Sequence, residues 1–231
     1  MCIRDRWIAG LGQEAIAGIG FITPIFMILN GVSVGLGSGA TSSISRFVGA
    51  KNHKKASQSA AHSLLIFLIA SIVLTIVLLI LQEPLLKLYG ASGESLAQGI
   101  KYGTPLFLGL FAFIFANGAS GILRGEGDMK RAMYAVVVSV ILNAILDPIC
   151  IYILGWGSAG AAIATILSSI CSAIVILYWI LVKKDTYVDV NLGEFKFDSS
   201  IAKDILKVGI PASMDMLVMS IAMSLYMIFI S

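Results

Sequence analysis

Two carboxylic acids, Asp147 and Asp215, lie inside stretches of sequence that are otherwise apolar. A charged side chain within a bilayer costs at least about 2.5–3.5 kcal/mol, so the default reason for keeping one there is ion or substrate handling. Asp147 is the better placed of the two. In the run from Ser139 to Pro148, Ser139, Asn143 and Asp147 recur at every fourth residue and share one helix face. A desolvated carboxyl beside an amide and hydroxyls can take up a proton or a small cation. The structural alternative for Asp147 is a capping role next to Pro148, whose missing N–H disrupts the helix. Asp215 lies one turn beyond Pro211, in Gly209-Ile210-Pro211-Ala212-Ser213-Met214-Asp215, and is a candidate second site at a depth that still meets cytoplasmic water. Asn30 and Asn117 are single amides inside apolar runs, where an interhelical hydrogen bond worth under about 2 kcal/mol accounts for them.

These residues need elements to hold them, and the composition says which kind. Of 231 residues, 58% are hydrophobic and 13% charged, with a mean hydropathy of +0.94. Six apolar runs follow one another near 15–41, 60–82, 104–123, 132–154, 159–182 and 205–231. Each suits a hydrocarbon core of roughly 30 Å, which calls for helices of about 20 residues. None alternates apolar with polar residues as a barrel strand would, so the backbone amides must be satisfied within helices. The expected fold class is therefore all-α, a polytopic membrane protein. Cys150 and Cys171 fall inside runs, Cys2 outside them, and none has metal-ligand spacing, so no metal site is expected.

Basic residues crowd one set of loops. Arg46, Lys51, Lys54 and Lys55 follow the first run, Arg124, Lys130 and Arg131 the third, and Lys183, Lys184, Lys196, Lys203 and Lys207 the fifth. The loops between hold only Lys87 and Lys101, so the crowded face is cytoplasmic by the positive-inside rule. The net charge of +3 is thus an orientation signal, and no nucleic-acid partner is expected. On this topology residues 1–14 lie outside, in conflict with Arg4 and Arg6. The conflict disappears if Met1–Arg6 is not native and an earlier helix precedes residues 7–14.

Running outward, the fourth run puts Asp147 about six residues before its outer end, and the fifth run, entering from outside, puts Thr165 about six residues in. Both then lie roughly 9 Å below the outer surface and can share one site. Gly31, Gly35 and Gly39 align three positions without side chains on one face of the first run, which reads as close helix packing. Pro24 in that run should kink it. Residues 183–204 are the longest polar stretch and read as a cytoplasmic linker between two lobes. At its end, Asp198-Ser199-Ser200 with Ile201, Ile205 and Leu206 supplies an N-cap and an apolar stripe suited to a helix on the membrane surface.

Two enzyme readings fail. Gly125-Glu126-Gly127-Asp128 fits the Gly-x-Gly-Asp pattern of intramembrane aspartyl proteases, but no second aspartate lies between Asp5 and Asp128, and flanking basic residues place Asp128 in a cytoplasmic loop. A serine hydrolase would need a histidine within a span, whereas His53 is in a loop and His62 at a span's edge. A channel or purely structural membrane protein would differ from a transporter by cation-independent conductance.

The segments Arg46-Phe47-Val48-Gly49-Ala50, Leu123 to Asp128, Asn143 to Pro148 and Gly209-Ile210-Pro211, in this order, resemble the multidrug and toxic compound extrusion (MATE) family over residues 7–231. The resemblance implies twelve helices in two six-helix lobes, of which this sequence holds helices two to seven: most of one lobe (15–182), the linker (183–204) and the first helix of the second lobe (205–231). It implies a cation site built on helix five from Asp147 and Asn143, supported by Tyr102, Asn117 and Thr165, with a further aspartate on a first helix outside this sequence. Bending would fall at Pro148, Pro24 and Pro211. The implied function is H+- or Na+-coupled export of amphipathic, cationic drugs across a prokaryotic cytoplasmic membrane, by a monomer with no cofactor besides the coupling ion. The rival within the superfamily is a lipid-linked oligosaccharide flippase, which would line its cavity with Arg or Lys. The interiors of these runs hold neither.

Overall fold

The computed structural model describes Gly10 and residues 13–183, 186–190 and 197–230. The reading of Met1–Arg6 as non-native, the linker residues Lys184, Asp185, Glu194 and Lys196, and Ser231 lie outside the described residues. Among the described residues seven α-helices follow in order: α1 (Gln13–Gly49), α2 (His53–Leu88), α3 (Gly93–Leu108), α4 (Leu110–Glu126), α5 (Met129–Pro148), α6 (Gly157–Leu177) and α7 (Ser199–Ile230). π-helical turns extend α5 over Ile149–Ile153 and α6 over Tyr178–Lys183. Among the described residues no strand occurs. Four helices there are long and apolar enough to cross a bilayer, and α3 with α4 makes a fifth span if the bent pair counts as one.

The helices overrun the apolar runs because their polar ends are capped. The Asn52 side-chain oxygen accepts the Lys55 N–H at 3.1 Å and opens α2. Gly127, at φ 96°, closes α4, and the Asp128 N–H reaches back to the Leu123 carbonyl at 2.9 Å. The Asp128 carboxylate then accepts the Arg131 N–H at 3.0 Å and starts α5. The Gly-x-Gly-Asp segment is therefore a helix stop followed by a helix start. α1 and α7 each pass their proline, Pro24 or Pro211, as one uninterrupted α-helix. In α1, Ile22 and Ile25 on either side of the proline are buried.

The third apolar run differs from its expected bounds of 104–123. It begins at Gly93 and is broken at Gly109, where α3 and α4 meet at 51°. A Cβ on Gly109 would sit in the Ile166 side chain of α6, so only glycine permits this approach. The break spoils the local hydrogen-bond ladder, and the Thr75 hydroxyl of α2 donates to the Phe107 carbonyl at 3.2 Å. Thr75→Val keeps the shape and removes the donor. We expect it to lower stability by about 1 kcal/mol, seen as a small drop in the thermal midpoint in lipid.

Phe67, Phe107, Ile22, Leu29, Ile114 and Ile122 are wholly buried between α1, α2, α3 and α4. Ile69, Ile72, Val73, Ile76 and Ile80 of α2, and Val136, Val137, Val140 and Ile141 of α5, are exposed, an apolar exterior suited to lipid. The stripe expected on a membrane-surface helix behaves otherwise. Ile201 and Ile205 are buried, α7 packs on α1 and α2, and it continues unbroken into the last apolar run. Burial against the chain itself satisfies that stripe without lipid.

Candidate functional site

α5 and α6 lie side by side, and their polar faces meet. The Ser172 hydroxyl donates to the Ala135 carbonyl at 3.1 Å, fixing the seam near the start of α5. Further out, Asp147 is buried to 1% exposure on the last turn of α5. One turn earlier, the Asn143 side-chain amide lies 3.4 Å from the Asp147 carboxylate and 3.4 Å from the Thr165 hydroxyl of α6. The donors can be assigned. The Thr165 hydroxyl gives its proton to the Ala161 carbonyl at 3.0 Å, so it accepts from Asn143, which spends its other N–H on Asp147. Ser168 and Ser169 both donate to the Thr165 carbonyl, at 2.9 and 2.8 Å. Ser139, the first member of the stripe, is half-buried.

Backbone geometry changes directly after the carboxyl. Pro148 offers no N–H, and the chain leaves α5 as the π-helical turn Ile149–Ile153. Gly160 of α6 admits the Cys150 carbonyl, and the Trp156 N–H donates to that same oxygen at 3.2 Å. The carboxyl thus stands at an α-to-π junction pressed against the start of α6.

The other candidates are placed as follows. Tyr102 is buried at 3% exposure on α3, which packs against α6. One turn before it, Gln98 accepts a hydrogen bond from Ser158 of α6 at 2.9 Å. Asn117 donates to the Phe113 carbonyl of its own helix at 2.9 Å, and its backbone faces Gly37 of α1. Asp215 is exposed on α7, which packs on α1 and α2, whereas the Asp147 cluster lies between α5 and α6. Asn30 is exposed too, contrary to its reading as a buried amide. The structure therefore brings together Asp147, Asn143 and Thr165 by direct contacts.

Two features escape a reading of the runs. The Gln98–Ser158 bond sits in the part of α3 that precedes the expected start of its run, where polar residues had suggested a loop. His62 is fully buried: its Nδ1 lies 2.7 Å from the Gln58 carbonyl, and the Asp198 N–H donates to its Nε2 at 2.7 Å. The neutral tautomer with hydrogen on Nδ1 satisfies both bonds.

The chain matches known proteins along nearly all its length. A family model, MatE, matches residues 3–149. The "probable multidrug resistance protein YoeA" of Bacillus subtilis is 28% identical over 229 residues, covering 96% of this chain and 49% of its own length. The multidrug export protein MepA of Staphylococcus aureus is 30% identical over 200 residues, covering 87% of this chain and 44% of its own. A solved inward-facing conformation of a multidrug resistance MATE family transporter of the MOP superfamily superposes with a TM-score of 0.92 at 44% identity. It spans 96% of this chain and 50% of that one. The chain spans about half the length of the curated relatives it matches.

Proposed function

Because the chain belongs to the MatE family, whose members are multi-pass transporters of the cytoplasmic membrane and not enzymes, we propose that it forms the first-lobe part of a cation-coupled drug exporter. The observation that carries this is the buried carboxyl of Asp147, bonded to Asn143, which also bonds Thr165 across the α5–α6 seam. An acid held at 1% exposure between two lipid-spanning helices is costly unless it exchanges its charge for a bound ion. H+ or Na+ enters from the outer side and neutralises Asp147, with Asn143 and Thr165 as polar neighbours. Tyr102 and Asn117 belong to the second layer of the site on this reading.

Ion uptake biases a two-state element. A ligand moves a conformational equilibrium only by its differential affinity for the two states. Here that difference arises at the α-to-π junction: with the carboxylate charged, the turn Ile149–Ile153 faces an anion, and with it neutral, the turn is free to repack. The lobes then rock about a central cavity, carrying an amphipathic, cationic drug outward, as alternating access requires. Structural relatives solved in an inward-facing and in an outward-facing conformation support such an exchange of states.

The test uses the full-length transporter in vesicles with imposed H+ or Na+ gradients and a fluorescent cationic dye. One of the two gradients should drive dye movement, and discharging it with the matching ionophore should stop it. Dye movement that persists at the same rate without any cation gradient would remove the coupling from this reading.

A further inference from the structure

On the cytoplasmic side, four independent contacts tie the stretch between α6 and α7 to the ends of α2 and α4. Val188 is fully buried and Val190 nearly so. The Val188 N–H donates to the Glu126 carboxylate at 3.2 Å, and the Asp189 N–H donates to the Ser57 hydroxyl of α2 at 3.0 Å. The Tyr187 ring stacks on the His53 ring, centroids 3.7 Å apart. At the entry to α7, the Asp198 N–H donates to His62. A linker would not bury two valines and spend its amides on side chains of one lobe if its task were only to span a gap.

We propose that Glu126 is the receptor of a proton-controlled latch that docks residues 186–190 onto the first lobe and so sets the freedom of α7, the first helix of the second lobe. Glu126 is a positioning residue here: it acts on the linker through the Val188 amide. It lies beyond the apolar run 104–123, at the cytoplasmic end of α4. Its Oε2 holds Val188, while its Oε1 is buried with no hydrogen-bond partner among the described residues. An ionised carboxylate can only accept, so a buried bare oxygen penalises the charged form, and a proton on it relieves that penalty. Burial accordingly pushes the Glu126 carboxyl up to about 7, with Asp128 adding to the effect and the Val188 amide, the Tyr187 amide and Arg131 opposing it. Asp128 and Arg131 pair with each other at 3.3 Å at the start of α5. Other titratable groups around the segment, among the described residues, include Tyr187, Asp189, His53, His62 and Asp198.

The sign follows from linkage. Docked, the carboxyl is pushed up to about 7 from its ordinary value of 4.5, chiefly by burial, and exposure on undocking returns it towards that ordinary value. Docking therefore binds a proton. It is strongest in acid, weakens as pH rises from 4.5 towards 7, and is level above that.

Hydrogen–deuterium exchange on the full-length protein in nanodiscs, with no drug and no gradient, reads the latch directly, so its failure is separate from failure of the coupling reading. Protection of the Val188 and Asp189 amides, corrected for intrinsic exchange, should fall by roughly tenfold or more between pH 5 and pH 8, allowing for partial solvent screening. Glu126→Gln keeps an acceptor for Val188 without the charge, and should hold the high protection at both pH values. Val188→Ala should lower protection throughout and keep the pH slope, a second arm should Glu126→Gln fold poorly. Equal protection at both pH values, loosening in acid, or an unchanged slope in Glu126→Gln would each overturn the proposal.

Discussion

Asp147→Asn in the full-length transporter should cut gradient-driven dye efflux by at least about tenfold while leaving the protein folded and in the membrane. The substitution is nearly isosteric, and its carbonyl oxygen can still accept from Asn143, which now sits 3.4 Å away. Packing at this site, buried to 1% exposure, is preserved. What disappears is the negative charge that gives the cation different affinities for the two states, and without that difference an ion cannot shift the equilibrium. Removing a buried charge also relieves a desolvation cost, so the variant should be at least as thermostable as the parent. Thr165→Val should show a milder loss, because Asn143 keeps its bond to Asp147. The measurement is initial dye efflux rate at matched protein level under an imposed gradient. An unimpaired rate would leave Asp147 as a structural residue of the α-to-π junction.

Gly121→Leu should be among the most damaging substitutions in the chain for stability. α1 and α4 cross so closely that a Cβ on Gly121 would sit on the backbone of Gly37, and backbone cannot swing aside as a flexible side chain can. The crossing is further pinned by Thr41, whose hydroxyl donates to the Gly121 carbonyl at 2.7 Å. Forcing the helices apart strips contacts along both, at a cost of roughly 3 kcal/mol or more, against a total stability that is itself small. Gly35→Leu should act likewise at the α1–α7 crossing, where a Cβ would meet Ser213 and the Gly209 carbonyl. Gly49→Ala is the control, since nothing lies within 4 Å of its Cβ position. Thermal unfolding of purified full-length protein in detergent reads all three. A midpoint for Gly121→Leu within error of that for Gly49→Ala would show that these crossings give way cheaply.

Much of this was legible beforehand for definite reasons. The fourth-residue recurrence of Ser139, Asn143 and Asp147 forces them onto one face of any helix, and the charge cost in lipid turns that face inward. The spacing of Gly31, Gly35 and Gly39 announces a close crossing. It does not say with what, and the partner proves to be α7. Bounds were less legible. Counting apolar residues misses α3 before residue 104 and the bend at Gly109, because both depend on neighbours: Ser158 satisfies Gln98, and Ile166 leaves no room for a side chain.

The sequence by itself determined that the chain is helical, lipid-embedded and equipped with an acid–amide pair on helix five, because hydropathy and periodicity are local properties that any fold must respect. Only the tertiary structure decided that Asn143 is the residue that bridges Asp147 to Thr165, that Asn117 spends its amide on its own helix, and that Glu126 and His62 hold the linker. Those contacts join residues from 22 to 136 positions apart, the bonds within one helix excepted, and such partnerships leave no periodic trace in the chain. They arise when helices of fixed faces are packed together and each buried polar group must find whatever partner the packing brings near.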